Sequence, residues 1–137
     1  KIQDALSARI AEVDGVICTG YAPTVAAATI LSEWNQASDN KRISFVGIDT
    51  DQVVLDAIRQ GHIDATISQN PYGHGYITCA LLNHMIDGWR PNPDNYFVNS
   101  GMVLVTADNV DTFQDDVMAI TKQIMGELET KYLLAPN

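Results

Sequence analysis

The stretch from Ile43 to Pro71, ISFVGIDTDQVVLDAIRQGHIDATISQNP, reads as strand, helix, strand. Ile43 to Ile48 is a short run of apolar and β-prone residues that ends in Asp49, and Ala65 to Ser68 leads to Gln69. Between them Val53, Val54, Ala57 and Ile58 recur at helical spacing. Thr50 and Asp51 are both good caps for that helix, which leaves Asp49 free for another task. Each strand therefore hands over a polar side chain at its carboxyl end. In an open α/β sheet the crevice beyond those ends takes ligands, because loops diverge there and helix amino termini point into the gap. Asp49 and Gln69 are the first candidates for contact with a small molecule.

On the amino-terminal side, Ile2, Leu6, Ile10 and Val13 recur at spacings of four, four and three, which predicts a helix stopping near Asp14-Gly15. Val16 to Thr19 reads as a strand. Pro23 suits the first turn of the next helix, where its missing N–H costs nothing, and Ala27, Ile30, Leu31 and Trp34 give that helix a buried face. Asn35 to Lys41 is a polar turn, and Gly61 closes the central helix in a left-handed position. On the carboxyl-terminal side a helix is expected over about Gly73 to Asp87, with Ile77, Ala80, Leu81 and Met85 on one side and Gly88 to stop it. Trp89 to Asn95, with two prolines and two asparagines, reads as loop. Tyr96–Val98 and Met102–Thr106 read as extended segments. A last helix spans about Val110 to Tyr132, striped by Phe113, Val117, Ile120, Ile124 and Leu128, with Asp108 or Asn109 as caps. Helices alternating with short apolar strands imply right-handed crossovers and an α/β fold with a doubly wound parallel sheet of about four or five strands.

Composition narrows the function classes. The chain has 137 residues, 46% of them apolar, enough for a core without staples. A net charge of -9 argues against a nucleic-acid partner, because nothing offsets phosphate repulsion over a broad face. The apolar runs are far shorter than the roughly 20 residues needed to cross a bilayer. The opening KIQDALSARI has an amphipathic helix pattern rather than that of a signal peptide, so any export signal is expected to have been removed or never to have been on this piece. Cys18, on a predicted strand, and Cys79, on a predicted helix, make a poor disulfide framework and read as free, buried thiols. His62, His74 and His84 have no paired spacing to cysteine or carboxylate that would suggest a metal, and no cofactor motif is present. No G-x-S-x-G elbow, phosphate loop or paired nucleophile and base points to an enzyme.

The segments FVGIDTDQVVLDAIRQGHIDATISQNPYGHGY and GMVLVTADNVDTF resemble the carboxyl-terminal part of type I periplasmic sugar-binding proteins, the family of the ribose- and galactose-binding proteins. A complete member is roughly twice this length and closes two lobes over its ligand by hinge bending. The resemblance implies that residues 1–70 form part of the carboxyl-terminal lobe, that 71–101 belong to the opposite, amino-terminal lobe, and that 102–137 supply a hinge strand and a helix returning to the first lobe. Crossings between lobes would fall near Ser68–Pro71 and Gly101–Val105. Asp49 matches the family's acidic residue at the end of its G-F-D strand, and Gln69 matches the Gln before the hinge proline. The resemblance implies that Asp49 accepts hydrogen bonds from sugar hydroxyls and that the Gln69 amide both donates and accepts.

Two positions depart from the family pattern: Gly20-Tyr21 stands where many members carry Asn-Asp, and Ile48 where Phe usually precedes the acidic residue. The first removes an expected sugar contact and makes Gly20 and Tyr21 candidates for a different one, Tyr21 as a stacking or hydroxyl-bearing side chain. Tyr72 is a further candidate. The blander alternatives are a helix cap for Asp49, a local backbone partner for Gln69, and surface or packing roles for the two tyrosines. What the resemblance implies is a solute-binding protein, exported to the periplasm or outside the cell, that takes a sugar or polyol and serves a membrane permease or receptor, its missing amino-terminal lobe lying elsewhere in the same protein. The alternatives are an extracellular sensor domain and the effector-binding core of a lac-repressor-type regulator.

Overall fold

The structure, a computed structural model, describes residues 2–136. It divides into two compact units, Lys1–Gln69 with Leu104–Asp111, and Asn70–Val103 with Thr112–Asn137.

The first unit alternates helix and strand as the sequence pattern requires: α1 (Ile2–Arg9), β1 (Gly15–Ile17), α2 (Tyr21–Gln36), β2 (Ser44–Ile48), α3 (Gln52–Arg59) and β3 (Ala65–Gln69). With β5 (Met102–Val105), the strands form a four-stranded sheet in the order β1-β2-β3-β5. The β1-β2 and β2-β3 pairs are parallel, with Val16 opposite Phe45, Gly47 opposite Thr66 and Ile48 opposite Ile67. Parallel neighbours need a crossover, and α2 and α3 supply it, packed side by side.

One sheet face carries Phe45, Gly47, Thr66 and Ser68, all buried. Gly47 is required there, because a Cβ would overlap the Thr24 side chain of α2. The other face carries Val46, Ile48 and Ile67, which are half-buried, and Ile17, which is 79% exposed. Loops of this unit are tied by polar side chains. The Asn35 amide donates to the carbonyls of Ile43 and His62 (both 2.8 Å) and its oxygen accepts from Ile43 N. Trp34, expected in the core, is half-buried, and its ring N–H donates to the Lys41 carbonyl at 2.8 Å. Gly61 adopts φ 73, the left-handed closure expected of it.

The second unit is built on α4 (Pro71–Ile86) and α5 (Phe113–Glu127), which pack together. Their seam buries Ile77, Ile124 and Leu128, with Leu133 joining and Ala80, Leu81, Ile120 and Trp89 packed around them. Met85, expected on the packed side of α4, is 41% exposed. Trp89–Asn95, expected as loop throughout, contains regular structure: β4 (Arg90–Pro91) pairs antiparallel with β6 (Leu133–Leu134), and Pro93–Asn95 forms a 3-10 turn. Tyr96–Val98, expected as extended structure, forms no strand. Helix α5 starts at Phe113, because Asn109 Oδ1 is engaged by Thr106 N (2.9 Å) and Asp108 N by Thr106 Oγ1, which hold a turn ahead of the helix. Neither Asp108 nor Asn109 is therefore the cap, and the last turn, Leu128–Tyr132, is π-helical. Cys18 is buried as expected, but Cys79 is exposed on α4.

Asn70 begins the second unit and is almost fully buried at 1% exposure. Its Oδ1 caps α4 by accepting from Gly73 N (2.6 Å), while its amide donates to the Ser100 carbonyl (2.7 Å) and to Thr121 Oγ1 (2.8 Å). Gly73 must be glycine, since a Cβ would overlap the Asn70 side chain.

Candidate functional site

At the carboxyl ends of β2 and β3 the chain presents two polar side chains that meet. Gln69 Nε2 donates to Asp49 Oδ1 at 2.6 Å. A carboxylate can only accept, so the amide must turn its N–H toward it and its oxygen away. The pair then offers outward the second carboxylate oxygen, the amide oxygen and the remaining amide N–H. That set is rich in acceptors and suits a ligand carrying adjacent hydroxyls.

Asp49 has φ 74, and among the described residues it is the one non-glycine with positive φ. Asp and Asn tolerate this conformation better than most residues, and it turns the chain sharply off the strand. Its N–H donates to the Ile67 carbonyl (2.8 Å), and its own carbonyl accepts from Thr66 Oγ1 (2.8 Å). The sequence reading that Asp49 is spared from capping agrees with the geometry: Asp51 is the N-cap of α3, its Oδ1 accepting from Val53 N at 2.9 Å.

Asp51 also does something its sequence position did not disclose. Its Oδ2 accepts from the Tyr21 hydroxyl at 2.6 Å, joining the first residue of α2 to the cap of α3. The hydrogen bond to the Asp51 carboxylate, followed by that group's charge, raises the Tyr21 pKa, and the charge of Asp49 adds to the effect. The same hydrogen bond, with that from Val53 N, lowers the pKa of Asp51. Tyr21 is 55% exposed, so one face of its ring is open while the hydroxyl is fixed. Gly20 immediately precedes α2 in extended conformation (φ -164), and its carbonyl accepts from Thr24 N. A side chain there would make only ordinary contact with Pro23, so the backbone does not demand glycine.

Of the sequence candidates, Asp49 and Gln69 come together, Tyr21 is tied to the neighbouring Asp51, and Gly20 adjoins Tyr21. Tyr72 lies in the second unit, on the first turn of α4, where it stacks on Tyr76 with ring centroids 5.7 Å apart. Sequence reasoning missed Asp51 as more than a cap, and it missed Thr24 and Thr66. The only local signal was a hydroxyl-bearing residue at an otherwise apolar buried position in each threonine's case. Among the described residues no three His, Cys, Asp or Glu side chains are grouped so as to hold a metal ion, and no helix is long and apolar enough to cross a membrane.

The same architecture recurs in solved structures. An arabinose-binding protein, AraP, from Geobacillus stearothermophilus is 27% identical, with a TM-score of 0.62 over 82% of this chain and 39% of its own. The sugar-binding protein of a sugar ABC transporter from Bacillus halodurans is 24% identical, with a TM-score of 0.68 over 80% of this chain and 40% of its own. An ABC transporter solute-binding protein from Agrobacterium vitis, solved with bound D-fucose, is 20% identical, with a TM-score of 0.67 over 85% and 38%. This chain therefore spans about two-fifths of the length of these relatives. No curated protein sequence matches it. The family model described as periplasmic binding protein domain matches residues 1–89, which include β1, β2, β3 and the Asp49–Gln69 pair. On that match, joined to the parallel sheet and its paired carboxyl-end side chains, the chain belongs to the periplasmic binding protein domain family.

Proposed function

We propose that this protein binds a sugar or sugar-like polyol, with Asp49 and Gln69 as hydrogen-bonding contacts, and that it delivers the ligand to a membrane permease or receptor after export to the periplasm or cell exterior. It acts as a binder and not as a catalyst. The observation that carries the reading is the Asp49–Gln69 pair itself, 2.6 Å apart at the ends of adjacent parallel strands. The sugar-binding relatives support the ligand class.

Tyr21 supplies an apolar ring face for the C–H side of the sugar beside this pair, in place of the Asn-Asp contact of the family pattern, with Gly20 leaving room next to it. Residues 71–101 form part of the opposing lobe, together with the helix α5 that packs on α4, and Tyr72 is that lobe's candidate contact. Helix α4 supports this assignment. It has no charged residue other than histidine between Pro71 and Ile86, and Tyr72, Tyr76, Leu82 and Ile86 stay exposed although Ile77 is already buried. Apolar side chains exposed together on one helix mark a surface that docks against further structure.

Calorimetric titration of the full natural polypeptide with L-arabinose, D-galactose, D-ribose and D-xylose tests the ligand class. Saturable binding of at least one sugar is expected, and silence with all four would reject it. Asp49→Gly removes the carboxylate without straining the backbone. A charge-assisted hydrogen bond contributes about 1.5–3 kcal/mol, so affinity should fall about tenfold or more. Unchanged affinity would remove Asp49 from the site.

A further inference from the structure

The strained conformation at Asp49 is held by side chains that lie behind the candidate site rather than in it. Thr66, the second residue of β3, is fully buried, and its Oγ1 donates to the Asp49 carbonyl at 2.8 Å. Thr24, on α2, is 1% exposed, and its Oγ1 accepts from Ile48 N at 3.1 Å. Between these two anchors Asp49 N bonds Ile67 O at 2.8 Å. Every backbone polar group from Ile48 N to Asp49 O, other than the Ile48 carbonyl, is thus held from a different direction: by α2, by the β3 backbone and by a β3 side chain. A non-glycine residue persists at positive φ only where its surroundings over-determine it, and such residues cluster at ligand clamps. Valine would fill the space of either threonine in this buried layer, so the hydroxyls need a reason beyond packing.

We propose that Thr66 and Thr24 are positioning residues: their buried hydroxyls lock the Ile48–Asp49 backbone in the left-handed turn that aims the Asp49 carboxylate at Gln69. The unliganded protein then already holds the acceptor pair in place, and the ligand need not order it on binding. This inference rests on the proposed sugar-binding reading for its effect on affinity, but not for its effect on geometry.

The experiment uses the full natural polypeptide and reads both. In the unliganded protein, the side-chain amide protons of Gln69 are followed by NMR. Thr66→Val should collapse the separate, slowly exchanging resonance of the N–H bonded to Asp49, and Thr66→Ser, which restores the hydroxyl, should recover it. With whichever of L-arabinose, D-galactose, D-ribose or D-xylose the parent binds, Thr66→Val should lose tenfold or more in affinity and Thr66→Ser less than threefold. A merely structural threonine would lower the melting temperature in Thr66→Val but leave the Gln69 amide and the affinity in place, and that result would overturn the proposal. If Thr66→Val does not fold, Thr24→Val is read in the same way, with an unchanged Gln69 amide again overturning it. If no sugar binds the parent, the functional reading fails, while the amide resonance still decides whether the threonines position Asp49.

Discussion

The hydroxyl of Tyr21 donates to Oδ2 of Asp51 at 2.6 Å, across a sequence separation of thirty residues, while the other oxygen of the same carboxylate caps α3. One acidic side chain therefore fixes both the start of a helix and the tilt of an exposed aromatic ring. The bond favours the protonated phenol and the ionised carboxylate, so Tyr21 ionises above its ordinary range. Spectrophotometric titration should show one tyrosine ionising later than the others, and Asp51→Asn should return it towards the rest. Linked to stability, this group's contribution is full below the unfolded tyrosine pKa and is lost as pH rises through the higher folded value. A titration curve identical in parent and Asp51→Asn would show that the bond does not form in solution.

His84 gives a second pH dependence, in the other unit. Its Nε2 faces Glu129 Oε1 at 2.9 Å and its Nδ1 faces the Ala80 carbonyl at 2.8 Å, so both ring nitrogens meet acceptors and the imidazolium is favoured. The Glu129 bond first, then the Ala80 bond, raises the pKa above its ordinary 6.5, and the charge of Asp87 adds to them. Because the folded pKa is the higher one, this stabilisation is present below the unfolded value and fades as pH rises through the folded one. Urea midpoints measured across that window should decline with rising pH in the parent, and the decline should flatten in His84→Gln. Equal slopes would mean that the pair carries no net linkage.

Asn70 satisfies three partners from a fully buried position. Asn70→Ala strands the Gly73 N–H, the Ser100 carbonyl and one bond of Thr121 together. A lost cap plus buried unpaired groups should cost about 2–4 kcal/mol, read as a lower urea midpoint with an unchanged m-value. A loss under about 0.5 kcal/mol would indicate that water takes over these roles.

Two glycines at positive φ separate conformational cost from crowding. Gly61 has φ 73 with nothing within 4 Å of the place a Cβ would occupy, so Gly61→Ala should lose only the left-handed penalty, about 1–2 kcal/mol. Gly101 has φ 84, and its Cβ would overlap Ile120, so Gly101→Ala should lose about 1–3 kcal/mol more than Gly61→Ala through overpacking. Equal losses, measured by thermal or urea unfolding, would mean that Ile120 moves aside freely.

Asp49, Gln69 and the cap role of Asp51 were legible in the sequence because each depends on a nearest-neighbour pattern. Alternating apolar runs end in a polar residue, and cap residues precede a periodic helix. The partners of Ile48, Asp49 and Asp51 were not legible, since Thr24, Thr66 and Tyr21 reach them only after β2, β3, α2 and α3 have taken their places. The missed β4–β6 pair has the same origin: Arg90–Pro91 has no strand signature of its own, and what makes it a strand is Leu133–Leu134, far along the chain. The late start of α5 follows from a turn in which Thr106 recruits Asn109, a competition between local hydrogen bonds that a cap preference alone does not resolve.

The amino-acid sequence by itself determined the alternation of helix and strand, the parallel sheet, and the placing of Asp49 and Gln69 at strand ends. Those properties follow from periodicity and chain direction, which are local. Only the tertiary structure decided that Asp49 sits at positive φ with its carboxylate on Gln69, that two buried threonines grip the Ile48–Asp49 backbone, and that Tyr21 is tethered to Asp51. Each of these rests on hydrogen bonds between residues distant in sequence, and such bonds acquire partners and directions only when the sheet brings them within about 3 Å.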